Sequence, residues 1–280
     1  MVVCINYANE RYEKAQSLNS MTAKKVGKAD KVISYHPEDI DPAFQEAHRD
    51  ILSLERGDGY WLWKPYFIYK TLSTLNEGDI LVYSDSGSYY TNSVRHLINT
   101  MNAAKLDIMP FTLHTPEYLY TKRDAFILMG CDETEYVNSF QRIGGFQVIR
   151  KTAYSMTFVE EWLKYACDAR IITDSPSELG EDYPGFVENR HDQTIFSLLS
   201  KKYGLPGFRD PSQFGNDCNM ENSPYPQIWN CHRICNLDLA KLNRLKREKA
   251  LKDLKTRLDS VGLLSPALKV KRFLFGPRNM

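Results

Sequence analysis

Six short stretches carry the residue types that could do chemistry. In Tyr83-Ser84-Asp85-Ser86-Gly87 an acid and small residues end the apolar run DILVYSD. A carboxylate there can reach a divalent cation, and Gly87 allows a phosphate to approach the backbone closely. An acid capping the turn after a strand is the plainer reading of the pentapeptide alone. In Asn189-Arg190-His191-Asp192-Gln193-Thr194, polar and ionisable residues crowd the start of the apolar stretch IFSLLSKKYG. Asp192 is either an N-cap or an acid placed to take a proton from a sugar hydroxyl. Trp61, Trp63 and Lys64 precede Pro65; the indoles either stack on sugars or bases or anchor a core, and a lysine beside them can neutralise phosphate. Lys122-Arg123 and Gln141-Arg142-Ile143-Gly144-Gly145 place cations and paired glycines before an apolar run, a weak phosphate or sugar signal. In Trp229-Asn230-Cys231-His232-Arg233, His232 either completes a metal site begun by Asp85 or is structural.

The elements that must position these residues alternate. Val2–Asn6 is a short buried-strand pattern, a helix follows from Tyr12 to about Gly27, and Lys31–Tyr35 is a second strand. Pro42 starts a helix to about Leu54, and ERGDGYWLWKPY is too broken by glycine and proline to be one helix. A helix at Pro65–Leu75 leads into the strand that ends at Asp85. In open α/β sheets, ligands sit beyond the carboxyl ends of the strands, where Asp85, Ser86 and Gly87 fall. Further strands are expected at Asp107–Phe111 and Gly145–Ile149, and helices at Ala153–Ala169, Asp192–Lys202 and Leu239–Leu258. Thr173–Asn189 reads as a mobile loop. The alternation argues an α/β class with a mostly parallel or mixed sheet.

Composition excludes some functions. A chain of 280 residues with 42% hydrophobic and 25% charged residues is ordinary globular material. The six cysteines show no CxxC pairs, so neither a zinc cage nor a disulfide framework is indicated. No uncharged apolar run approaches the ~20 residues of a membrane span, and the opening MVVCINYANERYEK lacks a secretory pattern. A cytoplasmic location is the expectation. The net charge of +1 hides an asymmetry: residues 241–280 carry +9 and residues 1–240 carry −8. Such a tail, ending in KVKRFLFGPR, suits an anionic membrane surface. The acidic body would repel a polyanion, so nucleic acid is not an expected partner.

Taken in order, RGDGYWLWKPYFIYKTL, GDILVYSDSGS, YTKRD, QRIGGFQVIRK, NRHDQTIFSLLSKKYG and CHR resemble the signature of bacterial capsule and O-antigen glycosyltransferases. The resemblance covers roughly residues 1–235. It implies a GT-A (Rossmann-like) α/β nucleotide-sugar transferase domain with a mixed central sheet at residues 1–238, and a basic C-terminal helical tail at 239–280. The implied reaction moves a hexose, with galactofuranose a candidate, from a UDP-sugar to a lipid-linked or oligosaccharide acceptor, with inversion. The enzyme would work peripherally at the inner face of the plasma membrane. By resemblance, Asp85 and His232 would hold a divalent cation such as Mn²⁺ or Mg²⁺. Tyr83, however, stands where the family carries a first Asp, so the two-carboxylate clamp of the family is absent from this sequence. Lys64, Ser86, Gly87, Lys122 and Arg233 would join the donor diphosphate site. Trp61, Trp63, Gln141, Gly144, Gly145, His191 and Gln193 would contact sugar or acceptor, and Asp192 would be the general base. The competing expectation is a non-catalytic nucleotide- or carbohydrate-binding protein on the same fold.

Overall fold

A computed structural model describes residues 1–260. The KVKRFLFGPR segment lies outside them. Among the described residues, no helix is long and apolar enough to cross a membrane. The chain falls into two compact units, Met1–Asn236 and a second beginning at Leu237.

The first unit opens with β1 (Val2–Tyr7), α1 (Glu13–Lys25) and β2 (Lys31–Tyr35). Two short helices, α2 (Pro42–Ala47) and α3 (Arg49–Leu52), lead to a tight turn, α4 (Gly57–Tyr60), and to α5 (Trp63–Thr74). β3 (Ile80–Ser84), β4 (Ser88–Tyr90), α6 (Arg95–Ala103) and β5 (Thr112–Pro116) follow, then the short helices α7 (Glu117–Tyr120), α8 (Arg123–Leu128) and α9 (Thr134–Val137). β6 (Phe140–Arg142), β7 (Phe146–Arg150), α10 (Ala153–Ala166), α11 (Ala169–Ile172), α12 (Asp192–Lys202) and β8 (Trp229–Cys231) complete the unit. The second unit contains α13 (Leu239–Ser260).

The central sheet has the order β2-β1-β3-β7, in which β7 alone runs antiparallel. It is therefore a mixed sheet in an α/β fold. β1 is buried along its whole length. Val3, Ile5 and Tyr7 join one apolar cluster with α5, α10 and α12, and Val2 and Cys4 join another with α6 on the opposite face. Strands covered on both faces read as continuous apolar runs, which explains VVCINY and ILVYS. Side chains at helical spacing, Phe158, Val159, Trp162 and Ala166, seal α10 into the apolar cluster against α5 and α12, with Phe158 and Trp162 meeting Phe196. A capping box of Thr152 with Ser155 fixes where that helix begins. Truncating Trp162 to alanine would cost about 3–5 kcal/mol, the range for a buried indole.

Four expectations are corrected. The helix expected from Pro42 to Leu54 breaks at His48, which leaves helical geometry at φ −123. Residues 107–111 form no strand: Ile108 and Phe111 make isolated bridges, and the strand forms later, at Thr112–Pro116. The helix expected to Ala169 stops at Ala166. Thr173–Asn189 has no helix or strand, but it is tied down, since the buried Asp124 carboxylate accepts from the backbone N–H groups of Glu178 and Leu179.

Candidate functional site

Parallel pairing brings the ends of β1 and β3 to one sheet edge, and antiparallel pairing of β3 with β7 sets Ser84 opposite Phe146. Asp85 therefore lies beside Gly145, whose carbonyl accepts the Asp85 N–H at 3.0 Å. A cavity of about 670 Å³ opens at this edge. Tyr7, Trp61, Trp63, Asp85, Gly145 and Gln193 are on its wall, together with the cations Arg11, Arg190 and Arg233.

Behind the wall lies a buried charge cluster. The Lys64 ammonium, 3% exposed, is 2.7 Å from Asp192 Oδ2 and 3.6 Å from Asp85 Oδ1. The Tyr83 hydroxyl donates to the same Asp85 Oδ1 at 2.6 Å. Lys64 sits in the first turn of α5, where the helix dipole disfavours a cation, so the two carboxylates must supply its stabilisation. Burial presses the Lys64 pKa down, but Asp192 and Asp85 outweigh it and hold the ammonium above the ordinary lysine range. Burial raises Asp192 to about 6 against the opposing pull of Lys64. Asp192 begins α12, and the Trp162 indole N–H pins its carbonyl at 3.2 Å.

The paired glycines fit between these groups because they lack side chains. A Cβ at Gly144 would lie 2.8 Å from Gln193 Cβ, and one at Gly145 would lie 2.8 Å from Asp85 Oδ2. The Gly144 N–H donates to Gln193 Oε1 at 3.0 Å, and Gln193 Nε2 donates to Gln141 Oε1 at 2.9 Å.

ERGDGYWLWKPY forms an unusual wall. Gly57, Asp58, Gly59, Tyr60 and Trp61 all have positive φ, between 51 and 88. Left-handed backbone costs L-residues roughly 1–2 kcal/mol each, so Asp58, Tyr60 and Trp61 need external support. The Trp63 indole donates to the Gly57 carbonyl at 2.9 Å, and the Tyr7 hydroxyl donates to the Asp58 carboxylate. Trp63 stacks on Tyr7 with ring centroids 3.9 Å apart, and Trp61 stacks on His191 at 5.2 Å.

Several expected site residues sit elsewhere. Lys64 is committed to two carboxylates and lies off the cavity wall, so it is not a phosphate ligand there. Lys122 is buried and donates to the Ser175 carbonyl at 2.5 Å, beneath the 173–189 segment. His191 is buried, with Nδ1 at 2.7 Å from the Ile172 carbonyl. The Asp192 carboxylate is 5% exposed and is not on the wall, an obstacle to direct proton abstraction from a ligand. Ser86 and Gly87 do line the cavity, with Ser86 Oγ bonded to the Tyr7 carbonyl at 2.6 Å.

A divalent cation needs several oxygen or nitrogen ligands together. Among the described residues no three His, Cys, Asp or Glu side chains converge. His232 Nδ1 accepts from the Ile234 N–H at 3.0 Å, its ring stacks with Tyr89, and burial lowers it to about 4. Asp85 Oδ1 is already engaged by Tyr83 and Lys64. Among the described residues Asp85 and His232 are therefore not part of a cage of three or more such protein ligands.

Sequence reasoning missed Tyr7 and Asn9, which line the cavity just beyond β1, although the strand-end rule that singled out Asp85 applies equally to them. It also missed Asp210 and Phe214, for which no motif gives a signal.

No protein-family model matches the chain, and no curated protein matches it. Among solved structures, it is similar to mouse xyloside xylosyltransferase 1 in its apo form, with 9% identity, 82% of this chain and 97% of that chain covered, and a TM-score of 0.45. It is also similar to the galactosyltransferase LgtC in complex with donor and acceptor sugar analogues, with 12% identity, coverage of 83% and 87%, and a TM-score of 0.43.

Proposed function

We propose that this chain is a glycosyltransferase that takes a sugar from a nucleotide-sugar donor. The observation that carries the reading is the cavity at the carboxyl ends of β1 and β3, where stacked indoles and three arginines share a wall with the lysine-bridged carboxylate Asp85. Sugar transfer passes through a state with positive charge on the sugar and growing negative charge on the departing diphosphate, so a site for it needs carboxylate and cation together. Among the described residues Arg11 and Arg233 make no ion pair, which leaves their charge for a diphosphate. Trp61 offers a face for a sugar ring. A carboxylate on the wall, Asp85, Asp58, Glu55 or Asp210, takes the acceptor proton, and an inverting transfer needs only one. Asp192 then acts from behind as the partner that keeps Lys64 in place.

The finer reading is a UDP-hexose donor, galactofuranose among the candidates, and a lipid-linked or oligosaccharide acceptor in bacterial surface polysaccharide synthesis. The enzyme would sit at the cytoplasmic face of the membrane through the basic segment 239–280. In α13 the exposed Leu245, Leu251 and Leu254 lie among lysines and arginines, a composition suited to an anionic interface. One observation favours a second reading, a nucleotide- or carbohydrate-binding protein: the carboxylate with the pKa best suited to acid–base work, Asp192, is off the wall.

A thermal-shift and hydrolysis panel of UDP-, GDP-, CDP- and dTDP-sugars, with and without Mn²⁺, separates the two. Stabilisation by UDP-sugars with slow hydrolysis, lost in Asp85→Asn while binding persists, is the expected result. Stabilisation without hydrolysis or transfer supports the binding protein, and no stabilisation by any donor sinks the transferase and leaves a carbohydrate-binding protein as the reading.

A further inference from the structure

Behind Gln193 runs a chain of hydrogen bonds that ends on a buried ion pair. Glu117 is fully buried, and its Oε1 accepts from Lys201 Nζ at 2.5 Å and from the Ser197 hydroxyl. Its Oε2 accepts from the Thr121 hydroxyl at 2.6 Å and from Gln141 Nε2 at 3.2 Å. Gln141 Oε1 accepts from Gln193 Nε2 at 2.9 Å, and Gln193 Oε1 accepts from the Gly144 N–H at 3.0 Å.

Both ends of this chain have a fixed sense. A carboxylate paired with an ammonium only accepts, and a backbone N–H only donates. Gln141 must therefore turn its nitrogen to Glu117, a choice reinforced by the Tyr120 carbonyl 3.2 Å from the same nitrogen. Its oxygen then faces Gln193, which must answer with nitrogen and keep its own oxygen for Gly144. Neither amide can flip without setting donor against donor or acceptor against acceptor. A buried ion pair contributes little net stability compared with apolar residues of the same volume, so its stability alone does not account for it. Apolar replacements would leave Gln141 Nε2 only the Tyr120 carbonyl and the Thr121 hydroxyl as acceptors, a weaker hold on the amide that orients Gln193.

We infer that Glu117 is a positioning residue: through Gln141 it fixes the Gln193 amide on the cavity wall so that one N–H and one oxygen lone pair remain for a ligand. A hydroxyl group both donates and accepts, so this fixed pair suits a polyol such as a sugar; the ligand class rests on the transferase reading, and the relay does not.

Hydrogen exchange at the Gly144 amide in the free protein, followed by NMR, tests the relay. Glu117→Gln puts an amide nitrogen where an oxygen accepted, and should speed Gly144 exchange tenfold or more while the interior amides of α12 keep their protection. Gln141→Leu, which spares the ion pair, should do the same and serves if Glu117→Gln fails to fold. Unchanged Gly144 exchange in both variants, or loosening spread evenly along α12, overturns the inference. With UDP-glucose as probe, Glu117→Gln should lower kcat for hydrolysis tenfold or more at constant KM, and an unaltered kcat overturns the role on the ligand side. If no nucleotide sugar binds the wild type, the transferase reading fails and the exchange result still decides the relay.

Discussion

Two buried lysine–carboxylate clusters share this α/β core, and they are finished differently. At Glu117, four donors meet the two oxygens of one carboxylate, with Lys201 supplying the matching charge. At Lys64, one ammonium is divided between Asp192 and Asp85, and burial still lifts Asp192 to about 6. The first cluster is neutral and closed. The second carries two acids for one base beside a cavity, and a strongly shifted group next to a cleft marks a site more often than a scaffold. The same residue types thus build a rigid support in one place and a poised charge in the other.

The largest effect should come from removing the shared cation. Lys64→Met keeps volume but leaves Asp192 buried without a counter-charge, and should cost about 3–5 kcal/mol at pH 8 by denaturant unfolding. The loss should shrink at pH 5, where Asp192 takes a proton. Lys201→Met should cost less, about 2 kcal/mol, because three uncharged donors still hold Glu117. Equal losses in the two variants would erase the distinction between the clusters. The wild-type pH dependence sharpens it further. A folded-state value of about 6 for Asp192 lies above the unfolded carboxylate value near 3.9, so the native form prefers the proton. Its contribution is most favourable below pH 4 and declines as pH rises through 6, on the order of 3 kcal/mol in all. Asp192→Asn should flatten the stability profile between pH 4 and 6, and a profile that keeps its slope would assign the titration elsewhere.

Much of the support was legible in the sequence, and little of the poise was. Apolar runs gave β1, β3 and β7, because strands buried on both faces need few polar residues, and the β-branched pair Val32-Ile33 gave the part-exposed edge strand β2. α12 was bounded correctly at Asp192 and Lys202, since polar residues end its apolar stretch on both sides. β4, β5, β6 and β8 were missed: β4, β6 and β8 are only three residues long, and β5 is part-exposed along its length. Asp85, Trp61 and Gly145, singled out by type and spacing, do line the cavity. Lys64 was read as a phosphate ligand because its burial depends on Asp192, a residue 128 positions away in the chain. Glu117 carried no motif, and its role exists only once α7, β6 and α12 meet.

The smallest expected effect separates the neighbours Gly144 and Gly145. Gly144→Ala would press on Gln193 Cβ at 2.8 Å and Cα at 3.1 Å, atoms at the root of a helix that cannot swing aside. It should cost about 1–3 kcal/mol, as overpacking does. Gly145→Ala would press on Asp85 Oδ2, the free end of a half-exposed side chain that can rotate. Its melting temperature should fall by no more than about 3 °C, on the order of 1 kcal/mol for a chain of this size. Turning Asp85 away from Tyr83 and Lys64 changes the carboxylate that the cavity presents, so nucleotide-sugar hydrolysis should drop more in Gly145→Ala than in Gly144→Ala. The reverse ranking would place the ligand against Gln193 and α12, with Asp85 serving only to hold Lys64.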